Sequence, residues 1–277
     1  MLELSVEQFQ SLSRLIYQKL GLYFDDKKLY FLKTRVAKRM AALQLEDPRD
    51  YLFGISYADP LGEEMQELAN LITTNETYMF REYEQLQAFA NHCVPEVLSA
   101  KQAVGDRTLR IWSAGSSSGE EAYTLAMIIQ EIFPQAQSWD CTIMASDIDE
   151  NMLRRVRAAR YGSRSVKDVP EEYRQKYLIE DGDEFVVRPR TACLVRTQHL
   201  NLSDRIAMRA MRGFDFIFCR NVLIYFDELS RKAVVDHFYN ALNPGGYIFL
   251  GHSESVGRVT TAFKLKQFET HLVYMKE

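Results

Sequence analysis

The chain has 277 residues, with 34 Lys+Arg against 38 Asp+Glu, a formal net charge of -4, 47% hydrophobic and 26% charged residues. These proportions exclude whole-chain disorder, and the acidic total excludes a general nucleic-acid binder, which needs a basic surface to displace counterions from phosphates. At roughly 100–200 residues per domain, the length fits one large domain or a large domain with a small companion.

At the N-terminus, Met1-Leu-Glu-Leu-Ser-Val-Glu7 carries acids where a signal peptide carries a basic region. No apolar run approaches the roughly 18 residues needed to cross a bilayer, so a cytoplasmic protein without direct membrane insertion is expected. Residues 1–75 read as a helical domain. Val6, Phe9, Leu12, Leu15, Ile16 and Leu20 recur at helical spacing, and Gly21 is placed to end that helix. A second helix over 26–43 carries Leu29, Leu32, Val36 and Met40 on one face. Pro48 and the stretch 54–62 read as loops, 63–73 returns to a helical pattern, and 76–106 reads as a connecting helical segment.

From 107 to 277 short apolar runs alternate with helical segments. Strands are predicted at 109–115, 141–147, 214–219 and 247–251, helices at 120–133, 150–159 and 228–242, and a last apolar alternation over 263–275. This order implies a parallel sheet covered on both faces, with ligands bound at the carboxyl ends of its strands. Between 161 and 202 the rhythm breaks. Glu184-Phe-Val-Val-Arg188 and Cys193-Leu-Val-Arg-Thr197 read as short antiparallel strands of an inserted β-subdomain at about 165–205.

Cys93, Cys141, Cys193 and Cys219 are far apart, and the five histidines show no metal-ligand spacing, so reduced thiols and no metal site are expected. Chemistry concentrates in four other segments. Trp112-Ser-Ala-Gly115-Ser-Ser-Ser-Gly119-Glu120-Glu121 is a strand running through a Gly/Ser loop into a helix, the outline of a nucleotide-type cofactor site. The same residues also suit a tight turn capped by Ser118. Asp147, at the end of the next strand, can accept both hydroxyls of a ribose, or either Asp147 or Asp149 caps the next helix, Asp149 being the better cap. Cys219-Arg220-Asn221 to Tyr225-Phe226-Asp227 follows a strand apolar enough to be central, which aims its polar residues at the cleft. Thr73-Thr-Asn75-Glu-Thr77 to Arg81 offers hydroxyl, amide and guanidinium groups in about two turns.

Taken together, these segments resemble the CheR family of chemoreceptor methyltransferases along essentially the whole chain. The matching motifs are Thr-Thr-Asn-x-Thr-x-x-Phe-Arg at 73–81, Trp-Ser-Ala-x-x-Ser-x-Gly-Glu-Glu at 112–121, Ala-Ser-Asp-Ile-Asp at 145–149, Phe-Cys-Arg-Asn-Val-x-Ile-Tyr-Phe at 218–226 and Gly-His-Ser-Glu at 251–254. The resemblance implies a class I methyltransferase: a Rossmann-like doubly wound sheet with an N-terminal all-α domain and a small inserted antiparallel β-subdomain. It implies S-adenosyl-L-methionine as cofactor, S-adenosyl-L-homocysteine as product, and glutamate side chains of the cytoplasmic domain of methyl-accepting chemotaxis receptors as substrate. Carried across the motifs, Asn75, Thr77 and Arg81 line the cofactor site, Glu121 follows the glycine loop, and Asp147 takes the ribose. Asn201 and Leu202 flank the adenine, while Arg220 and Asn221 close the pocket. The match aligns Glu120 as well as Glu121, and chemistry alone does not separate them. The competing classes are a receptor-binding adaptor of the same fold without turnover and a methyltransferase of the same fold acting on another substrate.

A glutamate is already ionised at neutral pH, so its attack on a sulfonium methyl needs no general base. Arg81 and Tyr225 are the candidates for orienting the reactants. For docking, Lys27, Lys28, Lys33, Arg35, Lys38 and Arg39 fall within thirteen residues without an acid. Lys28, Arg35 and Arg39 share one side, complementary to a glutamate-rich receptor helix. The helical domain is also a candidate surface for a regulatory protein. In the inserted subdomain the connection Ile179-Glu-Asp-Gly-Asp-Glu184 is short and acidic, which favours action without capture of a receptor's C-terminal pentapeptide.

Overall fold

Hydrophobic spacing and caps set the helical domain. In a computed structural model, which describes residues 4–60, 62–73, 75–134, 138–254, 262–268 and 271–277, helix α1 (Val6–Leu20) starts at a capping box of Ser5 and Gln8 and buries Phe9, Leu12, Ile16 and Leu20. It ends at Gly21, whose φ of 73° is left-handed. A single 3-10 turn, Asp26–Lys28, leads into α2 (Leu29–Ala42), which buries Leu32, Val36 and Met40. The expected loop at Pro48 is instead a helix, α3 (Pro48–Tyr57). Pro48 occupies the first turn, where its missing N–H costs nothing, and Asp47 caps it. Helix α4 (Glu63–Ile72) completes the domain. Helix α5 (Tyr83–Ala88) passes through a wide turn at Phe89–Cys93 into α6 (Val94–Ala103). Pro95 sits at that junction and cannot donate a helical hydrogen bond.

The remaining elements are β1 (Thr108–Ala114), α7 (Glu120–Ile132), β2 (Asp140–Asp147), α8 (Glu150–Ala158), β3 (Arg160–Gly162), α9 (Glu171–Tyr177), β4 (Leu178–Asp181), β5 (Glu184–Val187), α10 (Pro189–Ala192), β6 (Val195–His199), α11 (Arg205–Ala210), β7 (Phe214–Cys219), α12 (Glu228–Ala241), β8 (Leu242–Leu250), β9 (Phe263–Phe268) and β10 (His271–Lys276). The large sheet has the order β6-β2-β1-β7-β8-β10-β9. Its first five strands are parallel, and β10 pairs antiparallel with β8 and β9. Strands β3, β5 and β4 form a separate antiparallel sheet, the inserted subdomain. The segment expected as a second antiparallel strand there, Cys193 to Thr197, instead contributes to β6 at the parallel edge of the large sheet. A short apolar run carries no strand direction, which explains the error.

One face of the sheet packs with α5, α6, α7 and the insertion around Ile111, Phe216 and Phe218. The other packs with α11 and α12 around Trp112, Ile217 and Ile248, and this second core continues without a break into the helical domain. The join is polar at its edges: the Tyr17 hydroxyl donates to Asp227 at 3.0 Å, Asn201 Nδ2 donates to the Lys19 carbonyl at 2.8 Å, and the Tyr23 N–H donates to the Tyr225 carbonyl at 2.9 Å. At its tightest point a Cβ on Gly21 would sit 1.7 Å from Ser203 Oγ.

Two glycines test this account of the helical domain. Gly21→Ala should cost about 2 kcal/mol of unfolding free energy through left-handed strain and overpacking. Gly54→Ala, inside α3 with open space around the new Cβ, should gain about 0.5–1 kcal/mol. Urea melts check both; a Gly54→Ala variant no more stable than the parent would contradict a helix there.

Candidate active site

The loop between β1 and α7 has to reverse within five residues while staying close to its neighbours. Gly115 and Gly119 have φ of 72° and 94°, and Ser117 between them has 49°. A Cβ at Gly115 would lie 2.5 Å from a Val222 methyl, so both its conformation and its contacts require glycine. The N–H groups of Gly115 and Ser116 donate to the Ser146 carbonyl, each at 2.9 Å. The Ser117 N–H donates to Asp147 Oδ2 at 2.7 Å.

Asp147 closes β2, and its second oxygen accepts the Asp149 N–H at 2.9 Å. Burial pushes its carboxyl up to about 6, against the pull of the backbone N–H groups of Asp149 and Ser117. Asp149, also buried, divides its oxygens. Oδ1 caps α8 by accepting from Asn151 and Met152 N–H. Oδ2 accepts from Asn75 Nδ2 at 3.1 Å and from the Thr73 hydroxyl at 3.3 Å, drawing the inter-domain segment onto the sheet. Thr74 of that motif lies outside the described residues.

The end of β7 supplies the opposite wall. Arg220, with 4% of its side chain exposed, donates from Nε to Glu121 Oε2 at 2.6 Å and from a terminal nitrogen to the Arg81 carbonyl at 2.8 Å. Glu121 also accepts the Ser113 hydroxyl at 2.6 Å. Asn221 is left-handed, with φ of 61°. It is held there by Glu254, whose Oε2 accepts the N–H of Asn221 and of Gly251, while Oε1 accepts that of Ile224 at 3.3 Å. Burial raises the Glu254 carboxyl above its ordinary range, opposed by these donors. Glu120 turns the other way, buried against the hydroxyls of Ser118 and Ser165.

These walls enclose a cavity of about 270 Å³ at the carboxyl ends of the parallel strands. Asn75, Thr77, Arg81, Glu121, Asp147, Asn201, Leu202, Arg220, Asn221 and Tyr225 all line it, so the structure brings together every residue expected around a cofactor or reactants. Of the Glu120 and Glu121 pair, Glu121 lines the cavity. The Asn201 amide is engaged with the backbone of Lys19 and Ser203 at the rim. Lys28, Arg35 and Arg39 are not among the lining residues. They belong to α2 and the turn before it, and Arg39 is bound through two nitrogens to Glu64, with Glu67 at 3.5 Å.

Sequence reasoning passed over Ser116, Ser117 and Glu254. The two serines lie in the quoted glycine motif and Glu254 in the last motif, so the signal was present without a role attached. Among described buried atoms without a hydrogen-bond partner are Ser116 Oγ, Ser117 Oγ and Asn221 Oδ1, all on residues of the cavity wall. They are available to a polar ligand. Among the described residues no group of three His, Cys, Asp or Glu is disposed to hold a metal ion, and no helix is long and apolar enough to cross a membrane. The wall thus offers carboxylates, hydroxyls, three amides and two guanidinium groups. That set suits a polar molecule carrying a ribose and an amino acid.

Two family models match the chain: "CheR methyltransferase, all-alpha domain" over residues 7–73 and "CheR methyltransferase, SAM binding domain" over 75–272. The chain is 37% identical over 262 residues to "Chemotaxis protein methyltransferase 2" of Vibrio cholerae, covering 94% of this chain and 89% of that protein. It is 33% identical to the "Chemotaxis protein methyltransferase" of Salmonella typhimurium, covering 96% and 89%, and 32% identical to that of Escherichia coli, covering 96% and 90%.

Proposed function

We propose that this chain, which belongs to the CheR methyltransferase family, methylates glutamate side chains in the cytoplasmic helices of chemotaxis receptors, forming glutamate methyl esters. The coarser activity, S-adenosylmethionine-dependent methylation in chemotaxis, follows from the family and the named relatives. The observation that carries the finer reading is the convergence of all ten expected residues on one cavity with no histidine among its lining residues. A glutamate needs no general base, because it is ionised at neutral pH. It would act in the cytoplasm, brought to receptor arrays by its substrate.

The residues present fit the cofactor, which when bound supplies an electrophilic methyl group on a sulfonium. Asp147 would accept the ribose hydroxyls, and the unpartnered hydroxyls of Ser116 and Ser117 lie on the adjoining loop. Asn201 and Leu202 would flank the adenine. Asn75, Thr77, Arg220 and Asn221 would hold the methionyl end. Arg81 and Tyr225 would orient the incoming carboxylate, and the buried walls would keep water out.

Docking falls to the cations of α2 and the turn before it. Lys27 and Lys38 are exposed, Lys28 lies 5.5 Å from the Phe24 ring, and Arg35 stacks 4.7 Å over Phe31. In both contacts the cationic group itself rests on the ring, which positions it while keeping its charge for a partner. The pairing of Arg39 with Glu64 makes its main contribution structural. In the insertion, Asp181 pairs with Glu184 across a two-residue turn, a compact hairpin that supports action without a receptor tail peptide.

The direct test is transfer of labelled methyl from S-adenosylmethionine to receptor cytoplasmic fragments, with alkali releasing the label as methanol. Arg81→Ala and Tyr225→Phe should each lower kcat at least tenfold with both substrates saturating; normal turnover would remove them from that role. Cofactor affinity should be full above about pH 7 and fall as pH drops through about 6, because the ribose hydroxyls donate to the ionised form of Asp147. In calorimetry Asp147→Asn should abolish that slope; an unchanged slope would assign it elsewhere. Lys28→Ala with Arg35→Ala should raise the KM for receptor fragments at low salt and spare cofactor affinity, whereas Arg39→Ala should chiefly lower Tm. Equal KM effects from all three would contradict the division.

A further inference from the structure

A second cationic feature lies outside both the cavity and α2. Arg205, Arg209 and Arg212 are all exposed, at spacings of four and three residues along α11 and just past its end. That spacing places Arg205 and Arg209 on one side of α11, about 6 Å apart along its axis at 1.5 Å per residue, and Arg212 follows two residues past its end, beyond the extended Met211. Met208 and Met211 are held in the core, at 0% and 5% exposure, and Ile206 stands out at 83%. Among the described residues none of the three arginines has a carboxylate partner. The nearest acid in sequence, Asp204, uses Oδ1 to cap the helix by accepting from Ile206 and Ala207 N–H. Three like charges this close in sequence repel one another, and no ion pair among the described residues offsets that. Their field reaches α12: the imidazole of His237 is held below its ordinary value by burial and then by Arg205, Arg209 and Arg212, with Asp236 opposing.

The position of this stripe matters. Helix α11 begins four residues after Asn201, which lines the cavity, and the intervening Ser203 packs on Gly21. The basic turn before α2 begins a few residues after Tyr23, whose N–H is bonded to Tyr225 of the same cavity. Two separate cationic stretches therefore start from the rim of one site.

We propose that the Arg205, Arg209 and Arg212 stripe is a second docking surface, which binds carboxylates of an acidic substrate helix while a glutamate of that helix occupies the cavity. The proposal rests on the receptor reading above and adds a contact on the sheet domain. Carboxylates four residues apart on a partner helix match Arg205 and Arg209, Arg212 adds a third cation beyond the helix end, and a guanidinium pairs with a carboxylate through two parallel hydrogen bonds. The chemistry favours a protein helix over other polyanions. A membrane-binding helix needs an apolar face to enter the lipid, and here Ile206 is alone because both methionines are buried. A nucleic acid needs a broader basic surface than three residues on a chain of net charge -4.

The test uses the full chain carrying Arg205→Glu, Arg209→Glu and Arg212→Glu together, with a parallel Arg→Gln triple variant in case charge reversal disturbs folding. Methylation of a receptor cytoplasmic fragment is measured at about 50 and 300 mM salt. The expected result is a KM for the fragment raised about tenfold at low salt, converging on the parent at high salt, with kcat and cofactor Kd unchanged. The Gln variant should show the same change at smaller size. A folded variant with the parent's KM at both salt concentrations would overturn the proposal. Loss of binding to phosphatidylglycerol vesicles with an unchanged KM would overturn it as well, by assigning the stripe to lipid. If the unmodified chain fails to methylate the fragment, the receptor reading fails instead, and the two failures are distinct.

Discussion

Two carboxylates at the end of β2 hold the site together. Asp147 binds the glycine loop through the Ser117 N–H, and Asp149 caps α8 while holding Thr73 and Asn75 of the inter-domain segment. Hydrogen bonds to a charged group contribute about 1.5–3 kcal/mol each, more than neutral ones. Three chain segments, distant in sequence, thereby meet at one strand end. Their convergence depends on β2 lying between β1 and β6, because that sheet order puts the glycine loop on one side of Asp147 and the β6 exit on the other. The buried pair of Arg220 and Glu121 repeats the device on the far wall, where a guanidinium ties β7 to α7 and to the backbone of Arg81.

The same strand ends explain why the helical domain is part of the catalytic unit. Its core is continuous with the face of the sheet built on Trp112, Ile217 and Ile248. The Gly21 corner fits against Ser203, and the tyrosines at 17 and 23 bond the segment that carries Tyr225 and Asp227. A partner recognised by the helical domain is thus recognised within reach of the cavity. The cations of α2 and those of α11 and the residues after it lie on segments that lead away from that rim, so under the docking proposal an acidic helix crossing it would meet positive charge from both.

Much of this was legible in the sequence because local and global signals agree. The α1 pattern, its Gly21 stop, the central strand at 214–219 and the Gly/Ser loop each have a local cause that tertiary packing reinforces. Pro48 misled because a proline reads equally as a loop or as the first turn of a helix, and only the Asp47 cap separates the two. The Cys193 segment misled because β-pairing direction is a property of the neighbour, not of the strand. Glu120 and Glu121 were inseparable by motif, since adjacent helical residues point about 100° apart and only packing fixes which one faces the cavity. Arg39 looked free because its partners, Glu64 and Glu67, lie on the next helix but one. Glu254 was visible as a motif residue, yet its work, holding Asn221 in a left-handed conformation, appears only when β8 lies beside β7.

The central claim is that this one cavity holds the methyl donor with Asp147 at the ribose and the cationic wall at the amino-acid end. A crystal structure of the chain with S-adenosylhomocysteine tests it most directly. The account predicts both ribose hydroxyls within hydrogen-bond distance of the Asp147 carboxylate, the adenine beside Asn201 and Leu202, and the homocysteine end between Asn75, Arg81 and Asn221. A product bound outside this cavity, or bound in it with its ribose away from Asp147, would contradict the account.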